Sequence, residues 1–562
     1  MTSASPGARA PLAADPNAAP SAWRRLPAAP LGLSVLLLAL SLLPRVQVNP
    51  RLLLSFDLAA AFLVAWSLLL WFGPARRRGF AVDFARPQKS HTIQASVQIL
   101  IYVYWGWYWR EVYAAVPLFL AQFTFLYAFD ALLSWSRGRA WRLGFGPLPI
   151  VLSTNIFLWF TDDWYLLQFA LISVGALGKE FLRWNRDGRR VHIFNPSAFP
   201  LAVCSLALIV TGLTDITWAR DIATTVTGPP YIYLEIFALG LIVQYFFSVT
   251  LITLCAVGTL VALNFAFTQL TGVYLFIDTN LPVPAFIGLH FLVTDPATSP
   301  RTNAGRIVFG GLYGGLVFAI AGVFGHYGIP TLYDKLLPIP VLNLLVPWLD
   351  RLATRGPLGA FERWEARLQP RRVNLAHMGT WIALFGLMIT TGYIQAPHPG
   401  SSIRFWKQAV TDERPMARRG LATMLHVQVT HGDGDAWSEM GMMYLEGKLI
   451  QRDPEAATHC FTQGTLLGST LAATNLVTQH VFLGARCDIN VLLMALRRLE
   501  DDCATTTSGQ SCFLVGAAFE IGRGRPPDVE EARRWYVQAC ERGYPEACKQ
   551  LEVMRQQKTL PR

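Results

Sequence analysis

The chain has 562 residues, of which 52% are hydrophobic and only 15% charged, against about 25% charged in an ordinary soluble protein. That length exceeds one ordinary domain. The net charge of +11 invites a nucleic-acid reading, but the segment from Ala396 to Arg562 holds 19 basic and 19 acidic residues. The whole excess therefore lies before Ala396, mostly in short loops of the apolar part, and nucleic-acid binding is excluded.

Residues 1–28 are rich in Ala, Pro and Ser, too poor in aliphatic side chains to offset chain entropy, and are predicted to be a disordered tail. Arg24 and Arg25 then precede LGLSVLLLALSLLP. A secretory signal competes with a retained span here. No small-x-small cleavage site follows and a second apolar run begins at Leu52, which favours the span. Apolar runs long enough to cross about 30 Å of hydrocarbon recur along the chain. They cover 31–49, 52–73, 94–109, 113–135, 143–161, 164–182, 196–213, 230–247, 249–268, 282–294, 307–326, 336–350 and 377–395. The tenth and twelfth are short enough to be re-entrant or interfacial. The expected fold is all-α: a polytopic transmembrane bundle of about thirteen spans over 29–395, then a linker with a first helix over 396–435, then a helical solenoid over 436–556.

Charge orients the spans. With a cytoplasmic N-terminus, 24 Lys and Arg residues fall on the inner side. Only Arg45, Arg51, Arg110, Arg220 and Lys335 fall on the outer side. This asymmetry satisfies the positive-inside rule. An odd number of spans puts the C-terminal domain in the periplasm, or outside, of a multi-pass inner-membrane protein.

No phosphate loop, nucleophile elbow or His-Glu-x-x-His zinc helix is present. Two segments of the apolar part stand out. One runs Arg189-Arg190-Val191-His192-Ile193-Phe194-Asn195-Pro196-Ser197-Ala198-Phe199, before the seventh span. The other runs from Phe291 through Thr294-Asp295-Pro296-Ala297-Thr298-Ser299-Pro300 to Arg306. Asn195 and Asp295 are capping residues followed by Pro, which read as two rigid helix starts. Lys179, FLRW and HIFNPSAF, followed by TDPATSPRTNAGRIVFGGLYG and PVLNLLVPWLDR, closely resemble the family of D-type subunits of the Rnf electron-transport complex. That family also contains the B-type subunits of the sodium-translocating NADH:quinone oxidoreductase. The resemblance covers about residues 90–352.

It implies a membrane bundle that carries flavin, passes electrons in step with sodium or proton movement, and works beside other membrane subunits. Members of that family esterify FMN to a Thr of a Ser-Gly-Ala-Thr-like motif in an external loop. The corresponding loop here, Asp215–Gly228, has no such motif, and Ala223-Thr224 behind Asp221 is its nearest echo. The expected cofactor is thus FMN or another flavin, held noncovalently or through Thr224, with Asn195, Pro196, Asp295 and Thr298 as further binding residues. A flavin-free transporter or permeation subunit and a membrane-anchored assembly scaffold are the alternatives. Asp57, Asp130, Glu235 and His290 are ionisable groups within spans, each either functional or a polar side chain near a span end. Gly310, Gly311, Gly314 and Gly315 favour close helix contact.

In the tail, Gly441, Tyr444, Gly447, Asp453, Ala457, Phe461 and Gly468 recur as Gly516, Phe519, Gly522, Asp528, Ala532, Tyr536 and Gly543. Ala495 and Cys503 mark a degenerate copy between them. A period in the mid-thirties with this punctuation signals a helix–turn–helix solenoid. GAAFEIGRGRPPDVEEARRWYVQACERGYPEAC resembles Sel-one-like repeats, relatives of the tetratricopeptide fold, and so implies a protein partner in a concave face. Cys503 with Cys512 and Cys540 with Cys548 sit on consecutive predicted helices, as disulfides or as buried thiols. No metal site is expected, because no Cys-x-x-Cys or His pair accompanies them. A reporter active only in the periplasm, fused after Arg562, is expected to be active. Activity of a strictly cytoplasmic reporter there would sink the topology.

Overall fold

The computed structural model describes residues 28–559 except 74, 76–79, 86–88, 187, 278, 328, 330–331, 356–358, 360–361, 363–369, 395, 397, 431 and 449. The N-terminal tail expected over 1–28 falls outside the described residues up to 27, as do Arg76, Arg77, Arg78, Arg86, Arg363 and Arg367 of the inner loops. The chain divides into two compact units. One comprises Met1–Ala266 and Thr279–Ala396, the other Phe267–Asp278 and Pro397–Arg562.

The first unit is built of helices α1 (Ala28–Leu40), α2 (Pro50–Phe72), α3 (Lys89–Tyr108), α4 (Val116–Ser136), α5 (Pro147–Asn155), α6 (Leu166–Phe181) and α7 (Ala198–Thr211). It continues with α8 (Ala219–Thr225), α9 (Ile232–Phe247), α10 (Thr250–Thr271), α11 (Val283–Phe291), α12 (Asn303–Tyr327), α13 (Pro338–Ala353) and α14 (Pro370–Thr390). Helix α2 starts where the residues dictate. The Asn49 Oδ1 accepts from the N–H groups of Arg51 and Leu52 at 2.8 and 3.2 Å, and Pro50 takes the first position, where its missing N–H costs nothing. Two short strand pairs interrupt the helices: β1 (Val82–Phe84) runs parallel to β2 (Trp141–Leu143), and β3 (Arg183–Arg186) antiparallel to β4 (Arg189–His192). The core between α1, α2, α4 and α6 is aromatic and aliphatic, centred on Leu37, Phe56, Leu63, Phe125, Phe129, Phe169 and Ile172. Gly310 and Gly314 of α12 lie directly on the α10 backbone, where a Cβ would strike the carbonyl oxygens of Ile252 and Ala256. The two helices thus meet at small residues.

The count of thirteen spans is not reproduced as thirteen long helices. Among the described residues, six helices are long and apolar enough to cross a membrane. The predicted spans 143–161 and 282–294 resolve into α5 and α11, each of nine residues. At about 1.5 Å per residue each covers only half of a bilayer core. Prolines at the start of both helices fix where they begin.

The second unit holds α15 (Ile403–Thr411), α16 (Ala417–Thr430), α17 (Gly434–Glu446), α18 (Pro454–Leu466), α19 (Thr470–Leu483), α20 (Ile489–Thr505), α21 (Gly509–Ile521), α22 (Val529–Glu541) and α23 (Pro545–Thr559). The repeated residues have repeated tasks. Gly441 and Gly516 leave room for the rings of Phe461 and Tyr536 on the facing helix. Gly447 and Gly522, with φ of 66° and 73°, end α17 and α21 in the left-handed conformation glycine tolerates. Asp453 and Asp528 cap the next helices through pairs of N–H groups. Ala457 and Ala532 are fully buried between them.

The stretch Phe267–Asp278, which is the last turn of α10 and the chain that follows it, belongs to this unit. Val273 is buried with Trp406, Leu421 and Leu425 in one cluster. Tyr274 stacks on His398 at 4.4 Å between ring centres. Arg414 donates to the Gly272 carbonyl at 2.9 Å. The indole N–H of fully buried Trp406 donates to the Gly400 carbonyl at 2.6 Å. Trp406→Ala is expected to destabilise this unit by about 3–5 kcal/mol. Thermal melting monitored by circular dichroism, with proteolysis of α15 and α16, checks it, and an unchanged melt would contradict the assigned core.

Candidate functional site

The two sequence segments singled out above converge. The Asn195 Oδ1 accepts from the N–H groups of Ser197 and Ala198 at 2.9 and 3.0 Å and so caps α7. Its amide Nδ2 donates to the Leu292 carbonyl at 3.0 Å. Asn343 of α13 completes the join: its Oδ1 accepts from the Asn195 N–H at 3.1 Å, and its Nδ2 donates to the Thr298 carbonyl at 3.0 Å. All three residues are buried.

The second segment folds differently from a helix start. The Asp295 carboxylate accepts from the Ala297 N–H and the Thr298 hydroxyl, both at 3.0 Å, in a turn. Helix α12 begins only at Asn303. That terminus is capped by Thr302, whose Oγ1 accepts from the Gly305 N–H at 3.2 Å, and by Glu362, whose Oε1 accepts from the Ala304 N–H at 2.5 Å. Asp350 holds the turn before it: its Oδ1 accepts from the N–H groups of Arg301 and Thr302 and from the Thr302 hydroxyl. Its Oδ2 takes the Arg186 guanidinium at 2.6 Å. Burial pushes the Asp295 carboxyl up, but the His192 imidazole, 3.6 Å away, together with the Ala297 N–H and the Thr298 hydroxyl, holds it below the usual carboxylate range. Four of the five residues expected to hold a cofactor therefore meet in one knot. There the side chains of Asn195, Asp295 and Thr298 are engaged with backbone and with one another, while Pro196 follows the cap.

Thr224 lies elsewhere. It sits on α8, past the far end of α7 from Asn195, and α7 alone spans about 21 Å. Its hydroxyl donates within its own helix, to the carbonyls of Arg220 and Asp221 at 3.2 and 3.1 Å. Around the start of α8 is an aromatic cluster. The rings of Trp105 and Trp109 lie 5.8 and 5.5 Å from Trp159, and Trp218 lies 6.5 Å from Trp109. The Trp105 N–H reaches the Thr225 hydroxyl at 3.3 Å. Beside the cluster is a cavity of about 30 Å³, lined by Arg45, Trp109, Gln122, Asn155, Trp159 and Asp162 among others. That is room for about two water molecules. Arg45 holds Asp162 with two parallel bonds of 2.7 and 2.9 Å, and the buried amides of Gln122, Asn155 and Gln168 bond one another.

The ionisable candidates do not gather. Asp57 is half-buried on α2. Asp130 accepts from the Trp141 indole at 3.1 Å. Glu235 is half-buried, its Oε2 without a hydrogen-bond partner among the described residues, and His290 is fully buried with its Nδ1 on the Phe286 carbonyl at 2.8 Å. In the tail, Cys503 is bonded to Cys512 and Cys540 to Cys548, with Cα separations of 5.1 and 4.9 Å. Arg542 lies on the first of these bridges, 3.1 Å from the Cys512 Sγ. Cys460 and Cys487 are free thiols, and burial pushes that of Cys460 up to about 11. Sequence reasoning missed Asn343 and Asp350, although both stand in PVLNLLVPWLDR. An Asn and an Asp seven residues apart, on one helix face, were the available signal.

Comparisons with known proteins find likeness of two kinds. The Sel1 repeat family model matches residues 438–469 and 509–544. A stretch of 65 residues is 46% identical to the D-type subunit of the ion-translocating oxidoreductase complex of Tolumonas auensis, covering 12% of this chain and 17% of that protein. The corresponding protein of Cronobacter sakazakii is 42% identical over 64 residues, 11% of this chain and 17% of its own length. The chain thus matches about a sixth of the length of these curated relatives. A crystal structure of a Sel1 repeat protein from Oxalobacter formigenes aligns with 24% of this chain and 97% of its own at 22% identity. Its TM-score of 0.19 adds no argument, so the repeat assignment rests on the family match.

Removing Asn343 leaves the Asn195 N–H and the Thr298 carbonyl buried without a partner, each costing about 1–3 kcal/mol. Asn343→Ala is expected to destabilise the first unit by about 2–5 kcal/mol. Thr224→Ala is expected to stay within about 0.5 kcal/mol. Melting of both variants in detergent checks the contrast, and equal losses would remove the distinction between knot and loop.

Proposed function

We propose that this chain is a membrane-embedded subunit of an electron-transport assembly of the ion-translocating oxidoreductase type, carrying flavin without an ester bond. On this reading the repeat array faces outward and binds a protein partner. The observation that carries the reading is the knot. Three separate segments, all within the stretch that resembles the D-type subunits, are tied into one frame by Asn343 and Asp350, and part of the chain is similar to such a protein.

Membrane embedding is supported by apolar helices whose surfaces remain uncovered. The apolar window of α14 has a mean hydropathy of 1.4, yet only 22% of it is buried; in α2 the values are 2.1 and 39%. Such faces need a hydrocarbon neighbour. The outward tail is supported by Phe267–Asp278, which charge counting puts on the outer side and which belongs to the same compact unit as the tail. The array supplies stacked helices of the kind that present extended binding surfaces.

The cavity beside Trp159 is far too small for an isoalloxazine, so flavin on this reading lies outside it. The half-exposed Thr224 is the only residue of the outer loop that echoes an attachment site. A second reading, a transporter, has its own support in the half-length helices α5 and α11. A Cβ added at Gly288 of α11 would lie 4.0 Å from the Phe157 ring just after α5. Paired short helices of this kind mark binding sites in transporters.

Purified protein in detergent is expected to be yellow and to show no fluorescent band on a denaturing gel under ultraviolet light. A band that disappears in Thr224→Ala would establish the ester at Thr224. Colourless protein would overturn the flavin reading and leave the transporter.

A further inference from the structure

Three fully buried side chains at the junction of α9, α11 and α14 carry polar atoms with no hydrogen-bond partner among the described residues: Gln244 Oε1, His290 Nε2 and Trp381 Nε1. They are neighbours. Gly240, one turn before Gln244, lies so close under the imidazole that any Cβ there would collide with His290 Cδ2, the atom bonded to Nε2. The Gln244 amide reaches Thr253 Oγ1 at 3.1 Å, and Thr253 reaches the Leu289 carbonyl, also at 3.1 Å. The Trp381 ring centre is 5.9 Å from that of His290.

The chemistry of each orphaned atom follows from the bonds around it. The Thr253 hydroxyl has one hydrogen, and it goes to the Leu289 carbonyl. Gln244 must therefore offer its N–H to Thr253, which leaves Oε1 as an unmet acceptor. The His290 Nδ1 faces the Phe286 carbonyl, which can only accept. Nδ1 must therefore carry the proton, which leaves Nε2 as a second unmet acceptor. The Trp381 indole can only donate. Two acceptors and one donor form a complementary set, and buried groups of this kind are satisfied by ordered water.

We propose that one buried water molecule joins His290 Nε2, Gln244 Oε1 and Trp381 Nε1, a hydration site built into the helix bundle at which the neutral His290 ring accepts a hydrogen bond at Nε2. Water fits better than a metal cation, because a cation cannot accept the indole N–H. The ionisable side chains on the surrounding elements include Tyr233, Glu235 and Tyr245 on α9, Cys255 on α10, Arg306, Tyr313 and His326 on α12, Asp334 and Lys335 before α13, and Arg371, Arg372 and His377 on α14. Asp295 follows α11. Among the described residues, none of these makes a hydrogen bond or ion pair with the imidazole, whose Nδ1 is held by Phe286.

The proposal rests on the membrane-embedded reading and is independent of flavin. Co-flotation of the full chain with phosphatidylcholine vesicles tests that reading separately. Magic-angle NMR of the same vesicles, with ¹⁵N-histidine in the protein, tests the site, and the His290 signals are identified by their loss in His290→Gln. The expected result is a neutral ring protonated at Nδ1, with Nε2 receiving magnetisation from water. In Gln244→Leu, chosen so that the histidine itself is kept, that transfer should fall several-fold while flotation is unchanged. A His290 Nε2 that receives no magnetisation from water would overturn the proposal. So would His290 signals that move with added sodium, potassium or ammonium, which would make the guest a cation.

Discussion

Asn343 makes two hydrogen bonds, one in each direction, and the arrangement of the first unit depends on them. Its carbonyl oxygen satisfies an N–H at the start of α7, and its amide satisfies a carbonyl in the turn that follows α11. Helices broken inside a bundle expose backbone groups that a long helix would pair internally. Water can satisfy such groups at a protein surface but not in hydrocarbon, so interrupted backbone is tolerated there only when protein supplies the partners. Asn195, Asn343, Asp295 and Asp350 are those partners, and they explain how segments of irregular chain can lie among apolar helices at all.

The tail solves a related problem with different chemistry. Its helices pair over one continuous thin core, so continuity of that core, rather than satisfaction of broken backbone, decides its form. Glycines let Phe461 and Tyr536 approach the facing helix, buried alanines keep paired helices close, and Asp caps start each second helix. A solenoid needs its end repeats covered. Here the stretch around Val273 and Tyr274 lies against α15 and α16, so the cover comes from a segment far upstream in the chain. A loop between two apolar helices thereby becomes part of the repeat unit.

The parts legible in the sequence are those set by local rules. The repeat residues could be read because each acts on a neighbour within its own hairpin: Gly447 ends a helix, Asp453 starts the next, and Ala457 is buried where they cross. The capping role of Asn195 was legible for the same reason. What escaped depends on distant partners. Asp295-Pro296 looks like a helix start, but its carboxylate is taken by Ala297 and Thr298, and the true start of α12 is capped by Thr302 and by Glu362, 58 residues beyond Ala304, while Asp350 fixes the turn before it. Hydropathy sees an apolar run at 143–161 and at 282–294 and cannot see that only nine residues of each are helical. The cluster of Trp105, Trp109, Trp159 and Trp218 is assembled from three distant parts of the chain, and no spacing rule announces it.

The position of α7 constrains what the first unit can do. Asn195 stands before one end of this helix and Thr224 beyond the other, so the residues a motif search would group as one cofactor site belong to two places with all of α7, about 21 Å of helix, between them in the chain. At the first, the expected ligand residues have spent their hydrogen-bonding capacity on the frame: the Asn195 oxygen takes two N–H groups and its amide one carbonyl, while the Asp295 carboxylate holds an N–H and a hydroxyl. At the second, the Thr224 hydroxyl returns to its own helix, and the adjoining cavity has room only for water. Polar residues in a motif can thus be chemically expressive and still be occupied in holding the chain. Any ligand at the knot must be met by groups that the frame leaves over, and any ligand at the outer loop must lie against its surface rather than within it. The sequence motifs mark the frame that fixes both places, and the chemistry belongs to what that frame presents.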